Sequence, residues 1–425
     1  MEKHSILTNN NHGFRSGYSC ETQLLTTMHD IMKSHDAGRQ VDVAILDFSK
    51  AFDTVPHGRL LSKLHHYGVR GPVHQWITCF LTQRSMRVVL EGAESEEVTV
   101  MSGVLQGTVL GPLLFLCHIN DLPQSVKSTV RLFADDCLLY REIRTFQDHL
   151  TLQEDLRQLE QWAHKWGMQF NAKKCYILSS KPTSNFFFTL DGTILKHVDK
   201  SPYLGVQILS DLKWSPHVTT TSNRASSTLG FLRRNLRNCP QTCGRTAYIA
   251  LVRSTLEYAA VVWDPHLKQD IERLERVQHR AARFITKDYK SREPGFVTKM
   301  LKDLELTTLQ ERRRQHRLTT LFKISAGQIP ALPPENFLTP AKQTRRRVKP
   351  TQFSDYSSNN VIERQAINNS KGLTIPHCRT ELFRHSFFVK TAQEWNHLSE
   401  EVIGCTSAKA FSTAVGNLPP PPSSL

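Results

Sequence analysis

A chain of 425 residues is long enough for two or three domains with a sizeable core. Its 54 Lys and Arg outnumber 39 Asp and Glu, and a formal charge of +15 suggests a polyanionic partner such as nucleic acid. The longest apolar run, 109–119, is too short to span a bilayer, and the first residues show no signal-peptide core, so nothing points to a membrane or to secretion. The nine cysteines are scattered, and Cys79, Cys117 and Cys137 lie in apolar runs, the usage of a reduced intracellular protein. Cys239 and Cys243 are close in sequence but lack the second pair or nearby histidine that a zinc set needs.

Residues 1 to about 208 alternate strand-like and helix-like segments with short turns, the pattern of an α/β or α+β unit. Near its start, period two along Val41-Asp42-Val43-Ala44-Ile45-Leu46-Asp47 puts Val41, Val43, Ile45 and Asp47 on one face. Asp47 therefore ends an apolar strand where the chain turns toward a helix. Next comes Ser102-Gly103-Val104-Leu105-Gln106-Gly107-Thr108-Val109-Leu110-Gly111-Pro112. Glycine after glutamine, opening an apolar helix, lets backbone approach a ligand; alone, it reads equally as an ordinary helix N-terminus. Phe133-Ala134-Asp135-Asp136 follows, flanked by Val130, Leu132, Leu138, Leu139 and Tyr140, and predicts a hairpin with the aspartates at its tip. Adjacent carboxylates repel, and a divalent cation removes that repulsion. A strand-end Asp47 and a hairpin-tip pair can converge, and three such carboxylates can hold two metals roughly 3.5–4 Å apart, the arrangement for in-line phosphoryl displacement.

Downstream, Leu152, Leu156, Leu159 and Trp166 give one helix a core face. Residues 209–290 read as helical, with polar faces dense in arginine, among them Arg233, Arg234 and Arg237; a phosphate-tracking face is the expectation. Helix is expected to continue over 291–325 through Arg312-Arg313-Arg314. The stretch 326–360, rich in Pro, Ser, Thr and Asn and holding Arg345-Arg346-Arg347, reads as a linker. A small, poorly defined unit is expected at about 361–417, ending in a disordered Pro419–Pro422 tail.

Taken together, Leu46-Asp47-Phe48-Ser49-Lys50-Ala51-Phe52-Asp53-Thr54-Val55, Gly103-Val104-Leu105-Gln106-Gly107 to Gly111-Pro112, and Phe133-Ala134-Asp135-Asp136 resemble motifs A, B and C of reverse transcriptases. The likeness is to those of non-LTR (LINE-type, jockey-like) retrotransposons. Further segments fall in the family's order. His12-Gly13-Phe14-Arg15-Ser16-Gly17-Tyr18-Ser19 resembles the fingers motif before motif A, and Trp162 to Lys174-Cys175 resembles motif D. Tyr203-Leu204-Gly205-Val206 resembles the motif E region, and Leu256-Glu257-Tyr258 with Val262-Trp263-Asp264-Pro265 the thumb side. The resemblance covers about residues 12 to 290.

It implies an α+β right-hand polymerase, with an antiparallel palm and partial fingers over 1–208 and a helical thumb with connecting helices over 209–325; composition alone adds the linker over 326–360 and the small region with a Pro-rich tail over 361–425. The resemblance implies Asp47, Asp135 and Asp136 as catalytic carboxylates that, with the Phe48 carbonyl, hold Mg²⁺, with Mn²⁺ as the alternative ion. Phe52 would stand under the incoming sugar and select deoxynucleotides; the reading from residues alone is a core aromatic. Gln106 and Gly107 would line the nucleotide and template pocket, and Lys174, or Lys173 in a shifted register, would meet the pyrophosphate. Arg15 would contact template or phosphate. Asp42, Asp53 and Asp121 read as structural. The implied function is RNA-directed DNA synthesis from dNTPs on an RNA template and DNA primer, in the cytoplasm and nucleus. The alternative is an inactive nucleic-acid-binding remnant. Leu105 stands where relatives usually carry proline. The absence of a longer fingers region and an endonuclease before the Gly13-Phe14-Arg15 segment implies an N-terminally truncated element.

Overall fold

The structure is a computed structural model that describes residues 1, 4–180, 186–341 and 367–418. Two compact units are present, Met1–Leu212 and Lys213–Leu425. Arg345–Arg347 and the Pro419–Pro422 tail lie outside the described residues.

The first unit is α+β. Helix α1 (Cys20–Asp36) starts at a capping box in which the Ser19 hydroxyl accepts the Thr22 N–H and Thr22 Oγ1 accepts the Ser19 N–H. Strand β1 (Gln40–Leu46) runs into the short helix α2 (Ala51–Thr54), and apolar helix α3 (Leu110–Ile119) leads to β2 (Thr129–Phe133) and β3 (Asp136–Ile143). Helix α4 (Phe146–Trp166), β4 (Tyr176–Ser180) and β5 (Lys196–His197) complete the frame. The five-stranded sheet has the order β5-β4-β1-β3-β2, antiparallel except for the β5–β4 pair.

Alternation along the strands builds two buried faces. Ala44, Leu46, Cys137 and Leu139 join a core with Phe115, Leu152, Leu156 and Leu159. Val41 and Val43 are buried outside that core, and α1 packs on β1 and β2. The sheet is thus covered on both sides, which explains why six of the seven residues of β1 are buried. Between α2 and α3, residues 84–101 form an exposed ribbon of two short ladders. The expected motif E segment is a hairpin, Lys200–Tyr203 with Val206–Leu209, whose turn residues Leu204 and Gly205 both have positive φ.

Upstream of α1 the chain runs beside β2. The Leu132 N–H donates to the Asn10 carbonyl (2.8 Å) and the His12 N–H to the Leu132 carbonyl (3.0 Å), a parallel bridge centred on Asn11. The His12 ring is buried, with Nδ1 2.9 Å from Thr22 Oγ1. Burial first, then Arg131 and Arg15, lower its pKa to about 3. Unfolding restores the ordinary value of 6.5, so the unfolded chain binds the extra proton between those limits. Stability is therefore lost as pH falls below 6.5, by roughly 3 kcal/mol at pH 4 from this group. His12→Gln is expected to narrow the gap between urea unfolding midpoints at pH 7 and pH 4.

The second unit is helical among the described residues: α5 (Ser215–Asn235), a run over 241–257, α6 (Lys268–Thr286), α7 (Leu309–Ser325), and, after shorter pieces, α8 (Phe387–Asn396) and α9 (Ala408–Gly416). Helix does not continue unbroken over 291–325. It stops at Thr286, resumes as Phe296–Asp303 and breaks again before α7. Lys287 at φ 59° and Gly295 at φ 79° mark the first gap, since left-handed residues cannot propagate a helix. Nor does the described part of 361–417 stand apart: α8 and α9 pack on α7, with Phe411 stacked on Phe322 at 4.5 Å and beside Trp395 at 5.6 Å. No helix among the described residues is long and apolar enough to cross a membrane.

Candidate active site

Asp47 leaves β1 on the same strand edge where β3 begins at Asp136. The β1–β3 register pairs Leu46 with Cys137, and continuing it one step sets Asp47 opposite Asp136. The β2–β3 hairpin closes through the Phe133–Asp136 pair, which leaves Ala134 and Asp135 as its turn. Ala134 takes φ 53°, so a short left-handed step delivers Asp135 to the tip.

The three carboxylates act on one another. Burial, Asp135 and Asp47, in that order, push Asp136 up to about 6; Asp136 is open by surface area but crowded by neighbouring atoms. Burial and the Asp47 charge also raise Asp135, against an opposing backbone hydrogen bond. Such mutual repulsion is what a hard divalent cation relieves, so the donor chemistry fits one. Among the described residues, no three His, Cys, Asp or Glu side chains are drawn close enough to form a finished cage.

The motif D segment lies against Asp47. The Asn171 N–H donates to the Asp47 carbonyl (2.7 Å) and the Ser49 N–H to the Gln169 carbonyl (2.8 Å), bridging Phe48 to Phe170, whose rings stack at 4.3 Å. Those bonds come from the neighbours of Phe48, so its own carbonyl stays outside the bridge. Lys174 is the lysine of the pair that reaches Asp47, with Nζ 4.0 Å from Oδ2. Both side chains are well exposed, so the pairing adds little stability.

Phe52 is half-buried, stacked on Phe115 at 4.4 Å and edge-on to Phe14 at 6.3 Å. Gln106 is exposed and its Nε2 donates to Asp53 Oδ1 (3.0 Å). Gly103 fastens this loop to α2: its N–H donates to the Val55 carbonyl (2.8 Å), and at φ 91° a Cβ would lie 2.8 Å from the Asp53 carbonyl oxygen. Gly107, at φ 79°, has open space around it. Arg15 is already engaged, donating to the Thr8 and Asn11 carbonyls and lying 4.0 Å over the Tyr18 ring. Arg233, Arg234 and Arg237 lie in the second unit. They line a cleft with Lys287, Phe284 and Tyr289, Arg233 sits 5.1 Å over the Tyr289 ring, and among the described residues none of the three has an acidic partner. The Arg312–Arg314 run is different, being spent on ion pairs with Glu257, Asp264 and Glu311. Asp42 is buried against His149 (3.1 Å), and Asp121 pairs with Lys63.

Asn11 lies outside every segment of the resemblance, and Gly13 and Phe14 enter it only as members of the fingers motif, with no contact to the aspartates implied. Two of these touch the Asp hairpin across more than a hundred residues, a contact that no local pattern signals.

The family model described as reverse transcriptase (RNA-dependent DNA polymerase) matches residues 1–208. A probable RNA-directed DNA polymerase from transposon BS of Drosophila melanogaster is 28% identical over 334 residues, covering 74% of this chain and 36% of that protein. The RNA-directed DNA polymerase from mobile element jockey of the same organism is 24% identical over 64% of this chain and 31% of its own length. The chain thus spans about a third of the curated relatives it matches. Among solved structures, apo telomerase from Candida tropicalis aligns with 12% identity and a TM-score of 0.39 over 72% of this chain and 54% of that one, too distant to locate residues.

Proposed function

We propose that the chain, whose residues 1–208 match the reverse transcriptase (RNA-dependent DNA polymerase) family model, carries out RNA-directed DNA synthesis for a non-LTR, jockey-like retrotransposon. The observation that carries this reading is the convergence of Asp47 with Asp135 at the hairpin turn and Asp136 at the start of β3, with Lys174 beside Asp47. The primer 3′-oxygen attacks the α-phosphorus of a dNTP, the bond to pyrophosphate breaks, and the hydroxyl proton passes to water. Asp47, Asp135, Asp136 and the Phe48 carbonyl would hold Mg²⁺, or Mn²⁺ in its place, which supplies charge neutralisation and Lewis acidity at the reacting oxygens. Lys174 meets the negative charge that leaves with pyrophosphate, while the Gln106-Gly107 loop and Arg15 border nucleotide and template. Arg233, Arg234 and Arg237 would bind nucleic-acid phosphate in a salt-dependent way. The nine cysteines, all described and all free, support an intracellular setting, cytoplasmic and nuclear.

Primer extension on poly(rA)/oligo(dT) tests the proposal. Product that needs a divalent ion supports it. No synthesis with Mg²⁺ or Mn²⁺, in this chain or in one extended upstream, overturns it. The second reading, a nucleic-acid-binding remnant, draws on the acid-free Arg233–Arg237 cleft; it predicts salt-sensitive binding without synthesis.

The stacked pair Phe52–Phe115 makes a rigid wall that would exclude a 2′-hydroxyl. Phe52→Val is expected to raise ribonucleotide use relative to deoxynucleotide by roughly 10–100-fold, the scale of one lost pocket contact. Single-nucleotide extension with paired rNTP and dNTP measures it.

A further inference from the structure

The side chain of Asn11 is 3% exposed and lies under the Asp hairpin. Its Oδ1 accepts the Ala134 N–H (3.2 Å) and the Gly13 N–H (3.0 Å), a link across 123 residues in the first case. Two N–H groups facing one atom fix the amide orientation, with oxygen toward them. Asn11 Nδ2 is buried without a partner, so the side chain keeps one polar atom unsatisfied in order to present the other.

The residue held in this way is the strained one. Ala134 is at φ 53°, a conformation that a residue with a Cβ keeps only when its surroundings impose it. Gly13 adds a second constraint, because a Cβ there would lie 2.5 Å from the Ala134 nitrogen and 3.2 Å from its Cβ. Glycine is needed for that approach rather than for its own backbone angle. The supporting segment is itself anchored. Asn10 and His12 bridge to Leu132, Asn10 Nδ2 donates to the Val130 carbonyl (3.2 Å), and Arg15 donates to the Asn11 carbonyl (3.1 Å). On the other side, Arg131, Tyr140 and Asp30 tie both hairpin strands to α1, with Arg131 Nε 3.1 Å from the Tyr140 hydroxyl and Nη2 2.9 Å from Asp30 Oδ2.

We propose that Asn11 is a positioning residue, which with the close approach of Gly13 holds Ala134 in its left-handed turn and so sets where Asp135 and Asp136 present their carboxylates to a divalent cation. The inference rests on the metal-holding role proposed for those aspartates.

Mn²⁺ binding to the whole chain, followed by electron paramagnetic resonance without primer or nucleotide, tests it beside primer extension. Loss of Mn²⁺ binding in Asp135→Asn establishes the underlying role. Asn11→Leu, of similar size but without the acceptor, is expected to weaken Mn²⁺ binding about 10-fold or more, the scale of support lost behind a metal ligand. Half-maximal extension should need correspondingly more metal. Asn11→Asp, which keeps the acceptor, should bind Mn²⁺ at least as well as the wild type. Gly13→Ala carries the test independently if Asn11→Leu folds poorly, and should weaken binding in the same direction. Wild-type affinity in the folded fraction of both Asn11→Leu and Gly13→Ala, with only a lowered unfolding midpoint, assigns them a structural role and overturns the proposal. Wild-type Mn²⁺ binding that ignores Asp135→Asn overturns the metal-holding role and this inference with it.

Discussion

Asp135→Asn is expected to lower divalent-dependent primer extension by roughly 10³-fold or more while leaving the fold and nucleic-acid binding intact. The size follows from the charge at stake. A metal clamped on a transferring phosphoryl group contributes several kcal/mol to the transition state, and about 4 kcal/mol is a factor of 10³. Asparagine keeps the shape of the side chain but offers a neutral oxygen. Asp135 sits at the turn rather than in a ladder pair, so the substitution breaks no strand register. It also removes one of the charges that raise Asp136, so the metal-free fold should be no less stable. Single-turnover extension at saturating template, with thermal unfolding and filter binding as parallel measurements, separates these effects. A loss below 10-fold, or a loss matched by weaker template binding, removes Asp135 from the proposed role.

The same three aspartates show what the sequence made legible. Each interrupts an apolar run, and a charge with no reason to be in a strand end or a tight hairpin stands out against period-two alternation. Asp47 and Asp136 also come opposite each other because β1 and β3 are antiparallel, which the alternating pattern favours without fixing the partner. The support behind them was not legible. Asn11 reaches Ala134 only because residues 10–12 bridge alongside β2, and one asparagine near a glycine looks like any loop. Charge was legible as a total and misleading by segment. Arg312-Arg313-Arg314 is a plain basic run in the sequence, yet Arg313 is buried against Asp264, and α8 and α9, short helices of mixed composition, pack on the same helix from the chain's end. Burial of that kind is decided by partners far away in sequence.

Asp264→Asn is expected to destabilise the second unit by about 3–5 kcal/mol, the range for removing one member of a buried ion pair. Asp264 Oδ1 lies 2.7 Å from Arg313 Nε, and Oδ2 lies 2.9 Å from Arg317 Nε and 2.6 Å from Lys390 Nζ. Arg313 is 2% and Arg317 3% exposed, so solvent cannot stand in for the lost carboxylate. Arg317 keeps Glu394 at 2.8 Å, whereas Asp264 is the acid that meets Arg313, whose Nη1 and Nη2 are already buried without partners. Burial alone would raise the Asp264 carboxyl, but Lys390, Arg317 and Arg313 override it and hold it well below the ordinary 3.8. A lowered carboxylate pKa gives stability that is present above about pH 4 and lost as pH falls below it. The variant should therefore lose most at neutral pH and converge on the wild type in acid. Lys390→Met should cost less, because Lys390 is 21% exposed and Asp264 keeps both arginines. Urea unfolding at pH 7 and pH 3 measures both. If Asp264→Asn shifts the neutral midpoint no more than Lys390→Met does, the cluster contributes through packing rather than charge. In that case α7 and α8 are held together by apolar packing through α9, whose Phe411 meets Phe322 of α7 and Trp395 of α8, and the ions are passengers.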